Sequence, residues 1–194
     1  MPAHHNGPVN FDVRPLKMTP QQLTFLEYEF TTSSLLAAFA TRRKTHPVYA
    51  ASATGMQKDE VKQWVRKHLL GLGEKYKYQN LSEGEHVAEI RRIKAEVSKR
   101  FPTALHEGKL RFGVAQKLVN LYVKYLCTVG AANSAHHCPL DGIVNKVAKL
   151  GYQWNTSDSE LEYIEAISKL KSYAGGTSLP QWEIHAFQEA RTEA

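Results

Sequence analysis

A lysine and an aspartate, Lys117 and Asp141, stand where charged side chains are unexpected. Lys117 occurs in the first turn of an otherwise apolar helical stretch, 112–126, and Asp141 comes just before a second apolar stretch, 143–150. A lysine amine becomes a nucleophile when it loses its proton, and a nearby carboxylate can take that proton or stabilise a cation that develops during a reaction. The two residues are therefore candidates for a nucleophile and its carboxylate partner.

Both residues also have ordinary structural explanations. Lys117, Asn120 and Lys124 share one face at helical spacing, which is typical of a solvated stripe on an amphipathic helix. Asp141 can cap the following helix by accepting a backbone N–H, and Pro139 restricts the chain just before it. Losing a cap costs only about 1 kcal/mol, so capping alone does not require an aspartate. The residues by themselves leave the chemical and the structural interpretation open.

Helical periodicity dominates the rest of the chain, and no segment alternates polar and apolar residues as a strand does. Capping boxes at Thr19 and Ser82 mark two helix starts, and Ser157 is expected to start another. Glycine and proline residues separate the helical segments. The sequence predicts a flexible or extended segment, 1–18, followed by one compact all-α, multi-helix domain, 19–194.

The composition of the chain indicates its expected cellular compartment and the class of molecule that it binds. The 194 residues are 42% hydrophobic, which is enough to bury a core, and the apolar runs are too short to span a bilayer. Two cysteines, Cys127 and Cys138, do not form a disulfide framework, so a reducing, cytoplasmic setting is expected. The formal net charge of +6 favours an anionic partner, and nucleic acid is the commonest one.

The stretch 112–150 resembles the core of the helix-hairpin-helix DNA glycosylases, and in particular the core of the 8-oxoguanine-glycosylase-like members. In that superfamily a G-V-G-x-K hairpin opens a helix, and its lysine is the nucleophile. A later P-V-D motif supplies an essential aspartate at the start of the next helix. Here residues 113–117, GVAQK, correspond to the first motif and residues 139–141, PLD, to the second. Ala115 replaces the second glycine, which lets backbone amides approach a DNA phosphate closely, so phosphate anchoring at this point departs from the family pattern.

The resemblance implies a DNA glycosylase with associated lyase activity, built on an all-α fold with a helix-hairpin-helix-like core. Lys117 would attack C1′ of the sugar and form a Schiff base, which then supports strand cleavage by β-elimination. Asp141 would stabilise the sugar cation that develops as the base leaves. The expected partner is double-stranded DNA, with no cofactor and no membrane, and the protein is expected to be a monomer.

Residues around this pair are candidates for contacts with DNA. These are Gly113, Gln116, Asn120, Lys124, His136 and His137. Trp154, between two helical segments, is the best candidate to stack on a base flipped out of the duplex, although tryptophans are more often core anchors. Basic residues elsewhere could contact phosphates, and a solvated surface explains them equally well. They are Arg42, Arg43, Lys44, Arg91, Arg92 and Lys99.

A metal site is not expected. His136, His137 and Cys138, together with Cys127, contain metal-binding residue types, but their spacing matches no standard zinc site. Two alternatives to an enzyme stay open. The chain could be a helical nucleic-acid-binding protein without catalytic activity, or a helical protein-interaction module.

Overall fold

The structure, a computed structural model, describes residues 18–40, 46–133 and 135–192. The basic cluster 42–44 and nearly all of the predicted flexible segment 1–18 lie outside the described residues. The predictions for those two segments therefore stay predictions.

The part of the chain that the structure describes is all helical, which confirms the predicted fold class. The described residues form seven α-helices in succession: α1 Pro20–Phe39, α2 Gly55–Tyr78, α3 Glu83–Arg100, α4 Phe112–Thr128, α5 Gly142–Val147, α6 Glu160–Tyr173 and α7 Leu179–Thr192. A short 3₁₀ turn, His106–Gly108, lies between α3 and α4. The helix-hairpin-helix core that the resemblance implies stays a prediction.

The helix start signals are mostly where the sequence places them. Capping boxes at Thr19 and Ser82 begin α1 and α3, and each side chain accepts the backbone N–H three residues later. The start predicted at Ser157 is wrong by two residues, because Ser159 caps α6 instead. The Ser157 hydroxyl is already engaged, since it donates to Glu162 at 2.6 Å.

Helix α4 is the central element of the fold. Of its 17 residues, 13 are buried, and α1, α2 and α3 all pack against it. The sequence left open a solvated polar stripe on this helix, formed by Lys117, Asn120 and Lys124. Lys117 and Asn120 are both buried, so these two residues are not solvated. Polar side chains inside a central helix need partners, and loops and later helices supply them, as described below.

The first turn of α4 packs directly against the segment 152–158. A Cβ atom added to Gly113 would lie 1.8 Å from the backbone oxygen of Trp154. The Gly113 N–H donates to Ser157 O at 3.0 Å, and the Phe112 N–H donates to Asp158 Oδ1 at 3.0 Å. Glycine is required here for close approach, and this approach brings Trp154 next to the helix that carries Lys117.

We expect Gly113→Ala to lower the free energy of unfolding by at least about 3 kcal/mol, because a backbone clash forces α4 and the segment 152–158 apart. Urea denaturation measures the change. Gly71→Ala in α2 is the matched control, since a Cβ there meets nothing within 4 Å. That control should gain about 0.5–1 kcal/mol from its higher helix propensity. Equal effects of the two substitutions would contradict the close packing.

None of the described helices combines the length and the apolar character that crossing a membrane requires.

Candidate active site

Three residues singled out in the sequence meet at one place. The Lys117 Nζ atom lies 3.6 Å from Asp141 Oδ2 and 4.3 Å from the centroid of the Trp154 ring. The Lys117 side chain is 11% exposed and that of Asp141 is 22% exposed. The amine is thus shielded without being sealed off, and the aspartate beside it remains in contact with solvent.

The two carboxylate oxygens of Asp141 have different partners. Oδ1 accepts the N–H of Ile143 at 3.0 Å and that of Val144 at 3.3 Å, which makes Asp141 the N-cap of α5. Oδ2 faces Lys117. The structural and the chemical interpretation of this aspartate are therefore compatible, because each uses its own oxygen.

Trp154 covers one side of the Lys117 amine. A cation over an indole face is attracted by the ring quadrupole, and an adjacent carboxylate also favours a positive charge. Both contacts therefore stabilise the ammonium form, and the amine must release a proton before it can attack a carbon. Asp141 Oδ2, at 3.6 Å, is placed to receive that proton. The indole is half-buried, and the amine lies over one of its faces, so a stacked base could use only the opposite face.

Burial overturns the prediction that Gln116 and Asn120 contact DNA. Both side chains are 0% exposed. Gln116 bonds the backbone of Leu140 through both its amide nitrogen and its amide oxygen. Asn120 donates to Gln116 Oε1 and to Cys138 O. These two amides hold the loop before α5 against α4 and do not reach the surface.

The structure also contradicts the predicted DNA contacts of His137 and Gly113. The His137 side chain is fully buried, with Nδ1 2.6 Å from the Tyr163 hydroxyl and Nε2 2.8 Å from Glu83 Oε1. The Gly113 N–H is bonded to Ser157 O and is not available to a phosphate. Neither residue can serve as the predicted DNA contact in this conformation.

Lys124 and His136 are partly accessible, but both are engaged within the protein. The Lys124 ammonium pairs with Glu183 at 2.7 Å, and the Glu183 side chain is only 9% exposed. The Nε2 atom of His136 lies 2.5 Å from Leu81 O. A contact of Lys124 with DNA would have to compete with a largely buried ion pair.

The basic outer face of α3 is largely neutralised. Arg91 pairs with Glu160 at 2.6 Å, and Arg92 pairs with Glu89 at 2.7 Å. A cation that is already paired gains less from a phosphate than a free one. Lys99, the third cation named on this helix, is exposed and forms no ion pair among the described residues.

A chain of polar side chains, buried except for its last member, lies behind the site, and sequence reasoning missed it. Its members, each bonded to the next, are Tyr76, His86, Asn120, Tyr163, His137 and Glu83. The Asn120 amide oxygen accepts from His86 Nε2, so the proton of the neutral imidazole is on that nitrogen. The one signal in the sequence was His86, which lies beside apolar residues of α3. A histidine in such a position predicts a core residue and does not predict a hydrogen-bonded chain.

Burial sets the charge state of both histidines in this chain. Burial, and secondarily the neighbouring His137, lower the pKa of His86 to about 3. Burial likewise lowers the pKa of His137, although the nearby Glu83 opposes the shift. Lys171, which donates to both oxygens of Glu83, lowers the pKa of that carboxyl to about 2. Both imidazoles are neutral at pH 7 and Glu83 is ionised.

We expect stability to fall as the pH drops below about 6.5, before most carboxylates titrate. The folded His86 pKa of about 3 lies below its ordinary value of 6.5, so the unfolded chain takes up a proton that the folded chain excludes. The stability is fully present above pH 6.5 and is lost progressively as the pH falls towards 3. Urea denaturation at pH 7.0, 6.0 and 5.0 measures the slope. The slope should be shallower in His86→Gln, and an identical slope in both proteins would contradict this origin.

Glu183 is a second residue that the sequence did not reveal. Burial raises the pKa of its carboxyl, the pair with Lys124 lowers it, and the charge of Asp141 raises it. A carboxylate on α7 therefore lies in the electrostatic neighbourhood of Asp141. No sequence motif connects these two residues, since α7 reaches the site through its packing on α5 and through the ion pair of Glu183 with Lys124 of α4.

The described residues contain no cluster of three or more histidine, cysteine or acidic side chains that could hold a metal ion.

Comparisons with protein-family models, with curated proteins and with solved structures found no match to this chain.

Proposed function

We propose that this chain is a DNA glycosylase with associated lyase activity, which excises a modified base from duplex DNA through a Schiff base at Lys117. The observation that carries the proposal is the shielded Lys117 amine, 3.6 Å from Asp141 Oδ2 and 4.3 Å from the centre of the Trp154 ring. The resemblance of residues 113–117 and 139–141 to the lysine and aspartate motifs of the helix-hairpin-helix glycosylases supports the same assignment.

In the proposed reaction the Lys117 amine first releases a proton to Asp141. The neutral nitrogen attacks C1′ as the bond from C1′ to the base breaks. The base leaves with the electron pair and takes up the proton that Asp141 had accepted, so Asp141 is a carboxylate again as the base departs. The Asp141 carboxylate stabilises the positive charge that develops on the sugar. The attached nitrogen then gives one proton to the ring oxygen as the bond between C1′ and that oxygen opens, which leaves a protonated Schiff base. Loss of a proton from C2′ expels the 3′ phosphate and cleaves the strand.

Trp154 has two tasks in this proposal. Its indole shields the lysine amine from water, and the side of the ring away from the amine can stack on an extruded base. The base that enters must therefore lie along a ring that already contacts the nucleophile. Stacking and attack at C1′ are then coupled through one side chain.

Two exposed lysines close to Asp141 in the chain are suited to hold the DNA backbone. Lys146 lies in α5 and Lys149 follows that helix, and no carboxylate among the described residues pairs with either. Unpaired cations are the ones whose counterions are released on binding a phosphate. They replace the buried residues that the sequence had suggested as DNA contacts.

We expect binding to duplex DNA to weaken steeply between 50 and about 200 mM salt, since phosphate contacts release counterions. Lys146→Ala and Lys149→Ala should each reduce the slope of log affinity against log salt by about 1. Fluorescence anisotropy with a labelled duplex measures the slope. Lys67→Ala in α2 is the charge-matched control, with a slope equal to that of wild type. Affinity that does not change with salt would contradict the proposed DNA interface.

The decisive experiment is covalent trapping with borohydride. The chain is incubated with duplexes that contain an abasic site or one of a panel of modified bases, and borohydride is added to reduce any Schiff base. We expect an adduct that peptide mass spectrometry maps to Lys117. DNA binding without an adduct on any duplex would favour the non-catalytic alternative, and the absence of both would favour a protein-interaction module.

A further inference from the structure

We infer that Gln116 is the positioning residue of this site, because its carboxamide holds the backbone of Leu140 and thereby places Asp141 opposite Lys117. The inference rests on the proposed function and deepens it. It names the side chain that fixes the separation of the proposed nucleophile and its carboxylate.

The Gln116 carboxamide uses all of its hydrogen-bonding capacity. Nε2 donates to Leu140 O and to Gly113 O, each at 3.0 Å. Oε1 accepts the Leu140 N–H and an Asn120 Nδ2–H, each at 3.1 Å. The side chain is 0% exposed, so water cannot substitute for any of these partners. The group therefore has one orientation and one position.

The contacts join the two chain segments at adjacent positions. Gln116 immediately precedes Lys117, and Leu140 immediately precedes Asp141. A two-way bond between the Gln116 side chain and both polar groups of Leu140 fixes the start of α5 relative to the first turns of α4. The separation of 3.6 Å between Lys117 Nζ and Asp141 Oδ2 is set across this link.

Only an amide of this length satisfies the geometry. The partner backbone offers one N–H and one C=O, so the side chain must accept and donate at the same time, as a peptide group does. An ionised glutamate cannot donate, and an asparagine is one methylene shorter. Asn120, one turn further along α4, donates to Gln116 Oε1 and so determines which end of the Gln116 amide faces Leu140 N.

Buried amides also stabilise folds without any role in a site, so the test must measure the link to Asp141. The readout is the rate at which formaldehyde and cyanoborohydride methylate Lys117 in the full chain at pH 7.5, quantified by peptide mass spectrometry. Asp141→Asn removes the charge that favours the ammonium form. We expect that variant to methylate Lys117 at least threefold faster than wild type.

Gln116→Met keeps the approximate volume and removes all four hydrogen bonds. We expect it to accelerate methylation of Lys117 to the same extent as Asp141→Asn, and the double variant to show no further acceleration. Non-additivity is the signature of one residue acting through another. Tyr163→Phe is the matched control, because it removes a buried hydroxyl from Asn120 and leaves the bonds of Gln116 in place. Its rate should stay within twofold of wild type.

Additive effects of Gln116→Met and Asp141→Asn, or a wild-type rate in Gln116→Met, would overturn the inference. Should Gln116→Met not fold, hydrogen exchange in the wild-type chain decides instead. The Leu140 N–H and the Gln116 side-chain N–H are expected to exchange at least a hundredfold more slowly than exposed amides, and unprotected exchange of either would overturn the inference.

This test is independent of DNA and separates the two ideas. If Lys117 is never trapped on any duplex but the methylation rates are non-additive, the proposed function fails and the role of Gln116 stands. If Lys117 is trapped and the rates are additive, only the role of Gln116 fails. When both hold, Gln116→Met should lower kcat for excision of a modified base at least thirtyfold and leave KM within threefold of wild type.

Discussion

Lys117→Ala is expected to abolish borohydride trapping and strand cleavage at abasic sites. The amine of Lys117 is the only nucleophile in the proposed reaction, and an alanine methyl group cannot form a Schiff base. DNA binding should remain within about threefold of wild type, because removing one cation among many phosphate contacts changes affinity little. The substitution should therefore abolish Schiff-base formation and strand cleavage and leave DNA affinity nearly unchanged.

Gel electrophoresis of the trapped adduct and of the cleaved strand measures both effects. The variant should stay folded, because Asp141 keeps two backbone N–H donors and access to solvent after the lysine is removed. Lys67→Ala, which removes an exposed lysine from α2, should form as much adduct as wild type. An adduct that persists in Lys117→Ala, or that maps to another lysine, would show that the nucleophile has been misassigned.

The convergence of Lys117, Asp141 and Trp154 was accessible from the sequence for two different reasons. The lysine and aspartate stand at motif positions that fix their places relative to two helix starts, and local start signals are read well from sequence. Trp154 was named for its place between two helices and near the proposed site. What brings it to the amine is Gly113, where the absence of a side chain lets the segment 152–158 approach α4.

The errors at Gln116 and Asn120 have one physical cause. Polar residues at helical spacing on an apolar helix look the same whether they face water or face a buried backbone. Here the backbone partners of Gln116 and Asn120 are Leu140 and Cys138, which lie 24 and 18 residues away in the chain, and a helical pattern contains no information about them. Only tertiary packing distinguishes polar side chains that face solvent from polar side chains that are buried against the backbone of another segment.

The buried chain from Tyr76 to Glu83 was out of reach for a related reason. His86 is one residue on the inner face of α3, and its neutral state depends on desolvation by other elements and on the proximity of His137. The same holds for Glu183, whose raised pKa comes from its burial against α4 and α5. Charge states of this kind follow from the fold, not from local sequence.

Asp141→Asn is expected to separate catalysis from stability more cleanly than any other substitution in this site. Oδ1 of the asparagine can keep accepting the N–H groups of Ile143 and Val144, and asparagine caps helices about as well as aspartate. The free energy of unfolding should therefore stay within about 0.5 kcal/mol of wild type. What changes is the atom that faces Lys117, where an amide nitrogen replaces the charged Oδ2.

That replacement removes both the proton acceptor for the Lys117 amine and the charge that opposes the developing sugar cation. Stabilisation of a charge in a water-poor site by one group is worth on the order of 3–4 kcal/mol, so base excision should slow at least a hundredfold. Single-turnover kinetics on a duplex that the wild type processes measures the rate, and urea denaturation measures the stability. Asp141→Ala completes the comparison, because it should lose the same catalytic factor and also about 1 kcal/mol of stability from the missing cap. Unchanged excision in the asparagine variant would mean that Asp141 acts only through Oδ1, as the cap of α5.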